Sequence, residues 1–127
     1  MIPAKKLLVI DDEFSVREAV SDILEIVNVE VLQAHHGEMG IQLLRQHINE
    51  IGAVLLDIRL PGMDGPEVLA IIRQIDPSLT VIASSGYSTE RAQLTFGNQQ
   101  PDRFLSKPYD IGTLIDTITQ ALASSNP

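Results

Sequence analysis

Leu7-Leu8-Val9-Ile10-Asp11-Asp12-Glu13 sets four uninterrupted apolar residues directly against three acids. An apolar run without alternation suits a strand covered on both faces, as strands in parallel sheets are. The residues that follow change period: Val16, Ala19, Val20, Ile23, Leu24 and Val27 recur at helical spacing and make one stripe of an amphipathic helix. A buried strand that ends in acids and feeds a helix is the unit from which the rest of the chain can be read.

The unit repeats. Val29 to Ala34 reads as a second strand, with a weaker helix from about Glu38 to His47 entered through Gly37. Ala53-Val54-Leu55-Leu56 is a third buried run. It is followed by the turn-rich Pro61-Gly62-Met63-Asp64-Gly65, by Pro66 at a first helical position, and by the stripe Val68, Ile71, Ile72 and Ile75, which Pro77 stops. Thr80-Val81-Ile82-Ala83 is a fourth strand, Thr89 to Thr95 a short helix and Arg103-Phe104-Leu105 a brief fifth strand. Asp110 then caps a last helix carrying Ile111, Leu114, Ile115, Ile118 and Leu122. Five strand-helix units imply an α/β fold, a parallel sheet with helices on both faces and right-handed crossovers. In such folds ligands bind beyond the carboxyl ends of the strands.

Composition narrows the chemistry. The 127 residues, 44% of them apolar, suffice for one domain with its own core. Without cysteine there is no disulfide framework, thiolate metal site or cysteine nucleophile. Seventeen acids against nine bases give a formal charge of -8, which would repel a nucleic-acid backbone, so direct nucleic-acid binding is not expected. No apolar run approaches the roughly 18 to 20 residues of a membrane span, and Met1-Ile2-Pro3-Ala4-Lys5-Lys6 does not read as a signal peptide. A cytoplasmic location without membrane contact is the expectation.

The strand ends collect reactive groups: Asp11, Asp12 and Glu13, then Asp57, then Ser84 and Ser85, then Lys107 before Pro108. If the strands are neighbours, carboxylates, hydroxyls and one amine meet at a single edge. Carboxylates a few ångströms apart repel unless a cation or proton intervenes. An oxygen-only donor set suits a hard divalent ion such as Mg²⁺, with Mn²⁺ an expected substitute. With charge partly neutralised, an Asp57 oxygen can attack phosphorus, while Ser85 and Lys107 supply donors to the transferred group. Asp11-Asp12-Glu13 also suits the dipole of a helix N-terminus, and that segment taken alone leaves both readings open.

These motifs resemble the receiver domain of two-component response regulators: the Asp11-Asp12 pair, Leu55-Leu56-Asp57 followed by Leu60-Pro61-Gly62-Met63-Asp64-Gly65, Ser85-Gly86 and Lys107-Pro108. The resemblance covers roughly Lys6 to Ala123. It implies a flavodoxin-like (βα)5 fold with strand order 2-1-3-4-5. Asp57 is then the phosphoacceptor, with Asp11, Asp12 and the Arg59 backbone carbonyl at the Mg²⁺ and Asp12 its likelier direct ligand. Ser85 becomes the switch hydroxyl, Lys107 the holder of phosphoryl oxygens, and Lys107-Pro108 a cis peptide. Phe104 matches the family's switch aromatic, turning when Ser85 moves and so changing the surface of the fourth helix, fifth strand and fifth helix. The implied partner is a histidine kinase or histidine phosphotransfer domain, and the implied activity is self-phosphorylation and autodephosphorylation, not turnover. A monomer or weak dimer is expected.

His35, His36 and His47 are read as surface or structural residues, because the phosphodonor histidine in this family lies on the partner. Phe96-Gly97-Asn98-Gln99-Gln100-Pro101-Asp102 departs from the small-residue approach to the fifth strand seen in many transcriptional regulators, while Ser84-Ser85-Gly86-Tyr87 together with Phe104-Leu105-Ser106-Lys107-Pro108-Tyr109 looks more like receivers of hybrid sensor histidine kinases. Arg59 and Tyr87 occupy positions that in the family adjust acyl-phosphate lifetime. Two other classes are weighed. An aspartyl-phosphate phosphatase-like enzyme needs a second aspartate where this chain has Arg59, and a flavin carrier needs a phosphate-binding first turn where this one is acidic. The receiver is expected over 5–124, with flexible ends at 1–4 and 125–127.

Overall fold

The computed structural model describes residues 4–124; of the ends expected to be flexible, 1–3 and 125–127 lie outside the described residues. Strands and helices alternate as β1 (Lys6–Ile10), α1 (Phe14–Glu25), β2 (Val31–Ala34), α2 (Gly37–Gln46), β3 (Ile51–Asp57), α3 (Gly65–Ile75), β4 (Thr80–Ser85), α4 (Thr89–Phe96), β5 (Arg103–Ser106) and α5 (Ile111–Ser124). All strands pair in parallel, in the order β2-β1-β3-β4-β5. Every residue of the central β3 is buried, whereas the edge strand β2 is mostly half-buried. Position in the sheet thus explains why β3 reads as a continuous apolar run.

The twofold alternation of strands separates two apolar layers. Leu7, Val9, Ala53, Leu55, Ile82 and Leu105 pack with Val20 and Leu24 of α1 and Leu114 and Ile118 of α5. Leu8, Ile10, Val54, Leu56, Val81 and Ala83 pack with Leu44 of α2, Val68, Leu69 and Ile72 of α3, and Ala92 and Phe96 of α4. Each fully buried Leu or Ile stabilises by roughly 1.5–3 kcal/mol. Extended past the last apolar residue, the first series runs to Asp11, Asp57, Ser84 and Lys107, and the second to Ser85. The periodicity that builds the core therefore also aims the polar groups at the carboxyl edge.

Side chains set the helix starts. His36 Nδ1 accepts the Met39 N–H at 3.1 Å to cap α2, Asp64 Oδ1 accepts the Glu67 N–H at 3.1 Å to cap α3, and Asp110 Oδ2 accepts the Thr113 N–H at 2.9 Å at α5. His36 is therefore structural. Three details depart from expectation. β2 begins at Val31, two residues later than its apolar pattern starts. Ile111, counted in the stripe of α5, is 58% exposed, because it is the helix's first residue and the inward row begins at Leu114. The irregular segment before β5 is stitched to β4 by a side chain: Asp102 Oδ2 accepts the Val81 N–H and an Arg73 N–H, each at 2.8 Å.

The loop from β3 to α3 turns at Gly62, whose φ of 74° favours glycine. It closes at Gly65, where a Cβ would stand 2.8 Å from Ile58 Cα and 2.9 Å from its carbonyl oxygen. Those neighbours are backbone, so no rotamer change relieves the clash. We expect Gly65→Ala to destabilise the domain by about 1–3 kcal/mol, read by urea unfolding. Unchanged stability would show that the close approach of α3 to the end of β3 is not required.

Candidate functional site

The ends of β1, β3 and β4 and the loop after β5 form a cleft of about 440 Å³ lined by Asp12, Glu13, Asp57, Arg59, Ser85, Gly86, Tyr87 and Lys107. Asp11 lies beneath it, 2% exposed, and Asp57 is 7% exposed. The Lys107 ammonium joins them, donating to Asp11 Oδ2 at 2.7 Å and to Asp57 Oδ2 at 3.2 Å. The second oxygens are also engaged: Asp11 Oδ1 accepts the Glu13 N–H at 2.9 Å, and Asp57 Oδ1 accepts the Arg59 N–H at 3.3 Å. Arg17 of α1 braces the same strand end by donating to the Asp11 carbonyl at 2.7 Å.

This geometry bears on the helix-capping reading of the first acids. The N-cap position of α1 is Glu13, and its side chain makes no capping bond. Asp11 turns to Lys107 beneath the cleft, and Asp12 stands exposed at its rim. One oxygen from each of Asp11, Asp12 and Asp57 lies within 4.8 Å of the others. An all-oxygen cluster of this size, with two buried members, fits a hard divalent cation.

Electrostatics follow burial. Desolvation raises the Asp57 pKa; the Lys107 charge opposes the shift and the Asp11 charge adds to it. For Lys107, burial alone would lower the pKa, but the hydrogen bond to Asp11 and the charges of Asp57 and Asp11 prevail and raise it. Lys107 stays protonated, a fixed cation shared by two carboxylates.

The two serines separate cleanly. Ser85 Oγ borders the cleft and accepts the Tyr87 N–H at 2.8 Å, which leaves its own proton for a ligand. Ser84 turns away and shares a hydrogen bond with the Tyr109 hydroxyl. Phe104 packs on the apolar layer of α2, α3 and α4, edge to face with Phe96 at a centroid distance of 6.1 Å. Lys107-Pro108 is cis. Tyr87 lies under two guanidinium groups, Arg59 at 5.5 Å and Arg91 at 4.6 Å from the ring centre. The expected site residues Asp11, Asp12, Asp57, Arg59, Ser85 and Lys107 all meet at this edge, with Phe104 behind it. Arg17 and Arg91 were not singled out by sequence, since an arginine on a helix carries no local signal of the strand end it will reach; Tyr109 enters only as the last residue of a motif, with no role assigned.

Known proteins with these features can be compared. The family described as "Response regulator receiver domain" matches residues 7–119. The chain is 27% identical to sporulation initiation phosphotransferase F of Bacillus subtilis, over 93% of this chain and 94% of that protein. It is 28% identical to the response regulator protein FleR of Pseudomonas aeruginosa over 92% of this chain, but spans only 24% of FleR's length. A crystal structure of a response regulator receiver domain protein from Clostridium thermocellum superposes with a TM-score of 0.84 at 29% identity, covering 94% of this chain and 95% of that one.

Because the folded Asp57 carboxyl has a raised pKa, folding takes up a proton between its unfolded and folded values. Its contribution is favourable in acid and is lost as pH rises through that window, so ionised Asp57 is a net burden at neutral pH. In metal-free buffer, Asp57→Asn is expected to raise Tm by a few degrees at neutral pH, with the gain shrinking below the usual carboxylate range. A lower Tm for the variant at neutral pH would contradict this.

Proposed function

Because the chain belongs to the response regulator receiver domain family of two-component signalling, we propose that it accepts a phosphoryl group from a partner's phosphohistidine on Asp57. The observation that carries this reading is the pairing of Asp57 with Lys107 beside two further acids at one sheet edge. An ionised Asp57 oxygen attacks phosphorus, the new P–O bond forms as the N–P bond breaks, and the histidine leaves on the partner with the electron pair. The Lys107 ammonium passes from Asp57 to a phosphoryl oxygen, and the Ser85 hydroxyl donates to another.

Asp11, Asp12, Asp57 and the Arg59 carbonyl would hold Mg²⁺, or Mn²⁺ in its place. The cation supplies the positive charge that lets a phosphate approach a cluster of carboxylates. Asp12 is the most accessible carboxylate of the three, which supports it as a direct ligand.

Movement of Ser85 toward the phosphoryl group vacates space beside β4. Phe104 belongs to the same apolar layer as the residues preceding Ser85, and its turn into that space alters α4, β5 and α5. The donor is a histidine kinase or histidine phosphotransfer domain, and the setting is cytoplasmic. Among the described residues no helix is long and apolar enough to cross a membrane. The receiver unit is assigned to 5–124, as a monomer or weak dimer. The Ser84-Ser85-Gly86-Tyr87 and Phe104-Leu105-Ser106-Lys107-Pro108-Tyr109 motifs favour the receiver of a hybrid sensor histidine kinase over a stand-alone regulator.

Two measurements follow. With Mg²⁺ present, beryllofluoride is expected to shift NMR signals of the cleft and of α4, β5 and α5 in the wild type and to leave Asp57→Asn unchanged; an equal response from both proteins would remove Asp57 as acceptor. Arg59 and Tyr87 crowd the path of water, so the phosphorylated protein should keep its phosphoryl group for minutes or longer, with Tyr87→Ala losing it several-fold faster. Loss within seconds from the wild type would overturn the shielding.

A further inference from the structure

Ser84 belongs to the strand series that packs against α1 and α5, yet it carries a hydroxyl and is 1% exposed. A buried hydroxyl needs a partner. It finds one in the Tyr109 Oη, with which it shares a hydrogen bond, and the Tyr109 ring packs on the same apolar layer. Burial raises the Tyr109 pKa to about 12, with the Ser84 bond pulling the other way, so the phenol remains protonated at physiological pH.

The location of this pair matters more than its chemistry. Ser84 is in register with Asp57 on one side and Leu105 on the other. Tyr109 stands two residues beyond Lys107, across Pro108. The neighbouring residue of β4 holds the loop as well, since the Lys107 N–H donates to the Ser85 carbonyl at 2.8 Å. Consecutive residues of β4 thus grip the loop on both sides of the Lys-Pro step, one by its side chain and one by its backbone. A lysine side chain has four rotatable bonds and keeps its ammonium in one place only if its backbone origin is fixed. The attraction of two carboxylates fixes the far end alone.

We propose that Ser84 and Tyr109 are positioning residues that lock the loop after β5 onto β4 and so hold the Lys107 ammonium where it can pass from Asp57 to an incoming phosphoryl oxygen. This rests on the reading of Asp57 as phosphoacceptor and adds residues that touch neither metal nor phosphoryl group. Loss of the lock weakens capture of the phosphoryl group and leaves cation binding nearly unchanged, because all four groups assigned to the cation, Asp11, Asp12, Asp57 and the Arg59 carbonyl, are carried by β1, β3 and the loops that follow them, not by the loop after β5.

The test uses beryllofluoride as the phosphoryl probe. Its dissociation constant at saturating Mg²⁺, and that of Mg²⁺ alone, are measured by NMR titration for the wild type, Tyr109→Phe, Ser84→Ala, the double variant and Asp57→Asn. Tyr109→Phe and Ser84→Ala are each expected to bind beryllofluoride about 3–10-fold more weakly and Mg²⁺ within about twofold of the wild type, the scale of a displaced catalytic group. The double variant should match the single ones, since all three remove one bond. Amide exchange at Lys107 in metal-free buffer should quicken in each, with β3 unchanged. Beryllofluoride affinity at the wild-type level in both single variants, even with a lowered Tm, would reduce the pair to packing and overturn the proposal. Equal binding by the wild type and Asp57→Asn would instead overturn the acceptor reading, and the proposal with it.

Discussion

The site turns on one ammonium shared by two buried carboxylates. Asp11 and Asp57 sit at the ends of adjacent strands, where neither can be ionised cheaply without a cation. Lys107 supplies a single positive charge for both, at 2.7 and 3.2 Å, and its pKa is raised by them. With Asp12 and Glu13 on the rim, the cleft still carries more negative than positive charge. That residue of unbalanced charge is what makes a divalent cation welcome and a bare phosphate unwelcome. In the proposed function, this imbalance is the reason phosphoryl transfer would need a metal.

The sheet divides the labour. Asp11, Asp57 and Lys107 continue the strand series that packs against α1 and α5, while Ser85 and Phe104 belong with the series that packs against α2, α3 and α4. The two series meet at the carboxyl edge, where Asp11, Asp57 and Lys107 from one face Ser85 from the other. β4 spans both, because its last residues are consecutive: Ser84 reaches Tyr109, and Ser85 opens onto the cleft. A displacement of this strand end would be felt on both faces.

Much of this was legible in the sequence. Apolar runs located the strands, helical stripes located α1, α3 and α5, the bounds of α2 and α4 fell within a residue, and acids at strand ends marked the edge before any topology was known. What escaped depends on tertiary partners. Its place before Gly86 favours Ser85 over Ser84, but the buried partner of Ser84, the Tyr109 hydroxyl, was not foreseen. Asp102 lies in the irregular segment and bonds Val81 of β4 twice, its N–H donating to the carbonyl and its carboxylate accepting the N–H. His36 reads as surface or structural, and its partner, the Met39 N–H at the start of α2, is what the sequence left open. Ile111 fitted the stripe of α5 but precedes the turn at which that helix meets the sheet. Periodicity reports which face is buried, not which atom finds which partner.

The central claim is that Asp57 receives the phosphoryl group. Its most direct test is intact-mass and peptide mapping after incubation with phosphoramidate, with and without Mg²⁺. The account predicts a single Mg²⁺-dependent phosphoryl adduct, labile to hydroxylamine, on the peptide containing Asp57. An adduct on Ser85 or any other residue, or none at all, would contradict it.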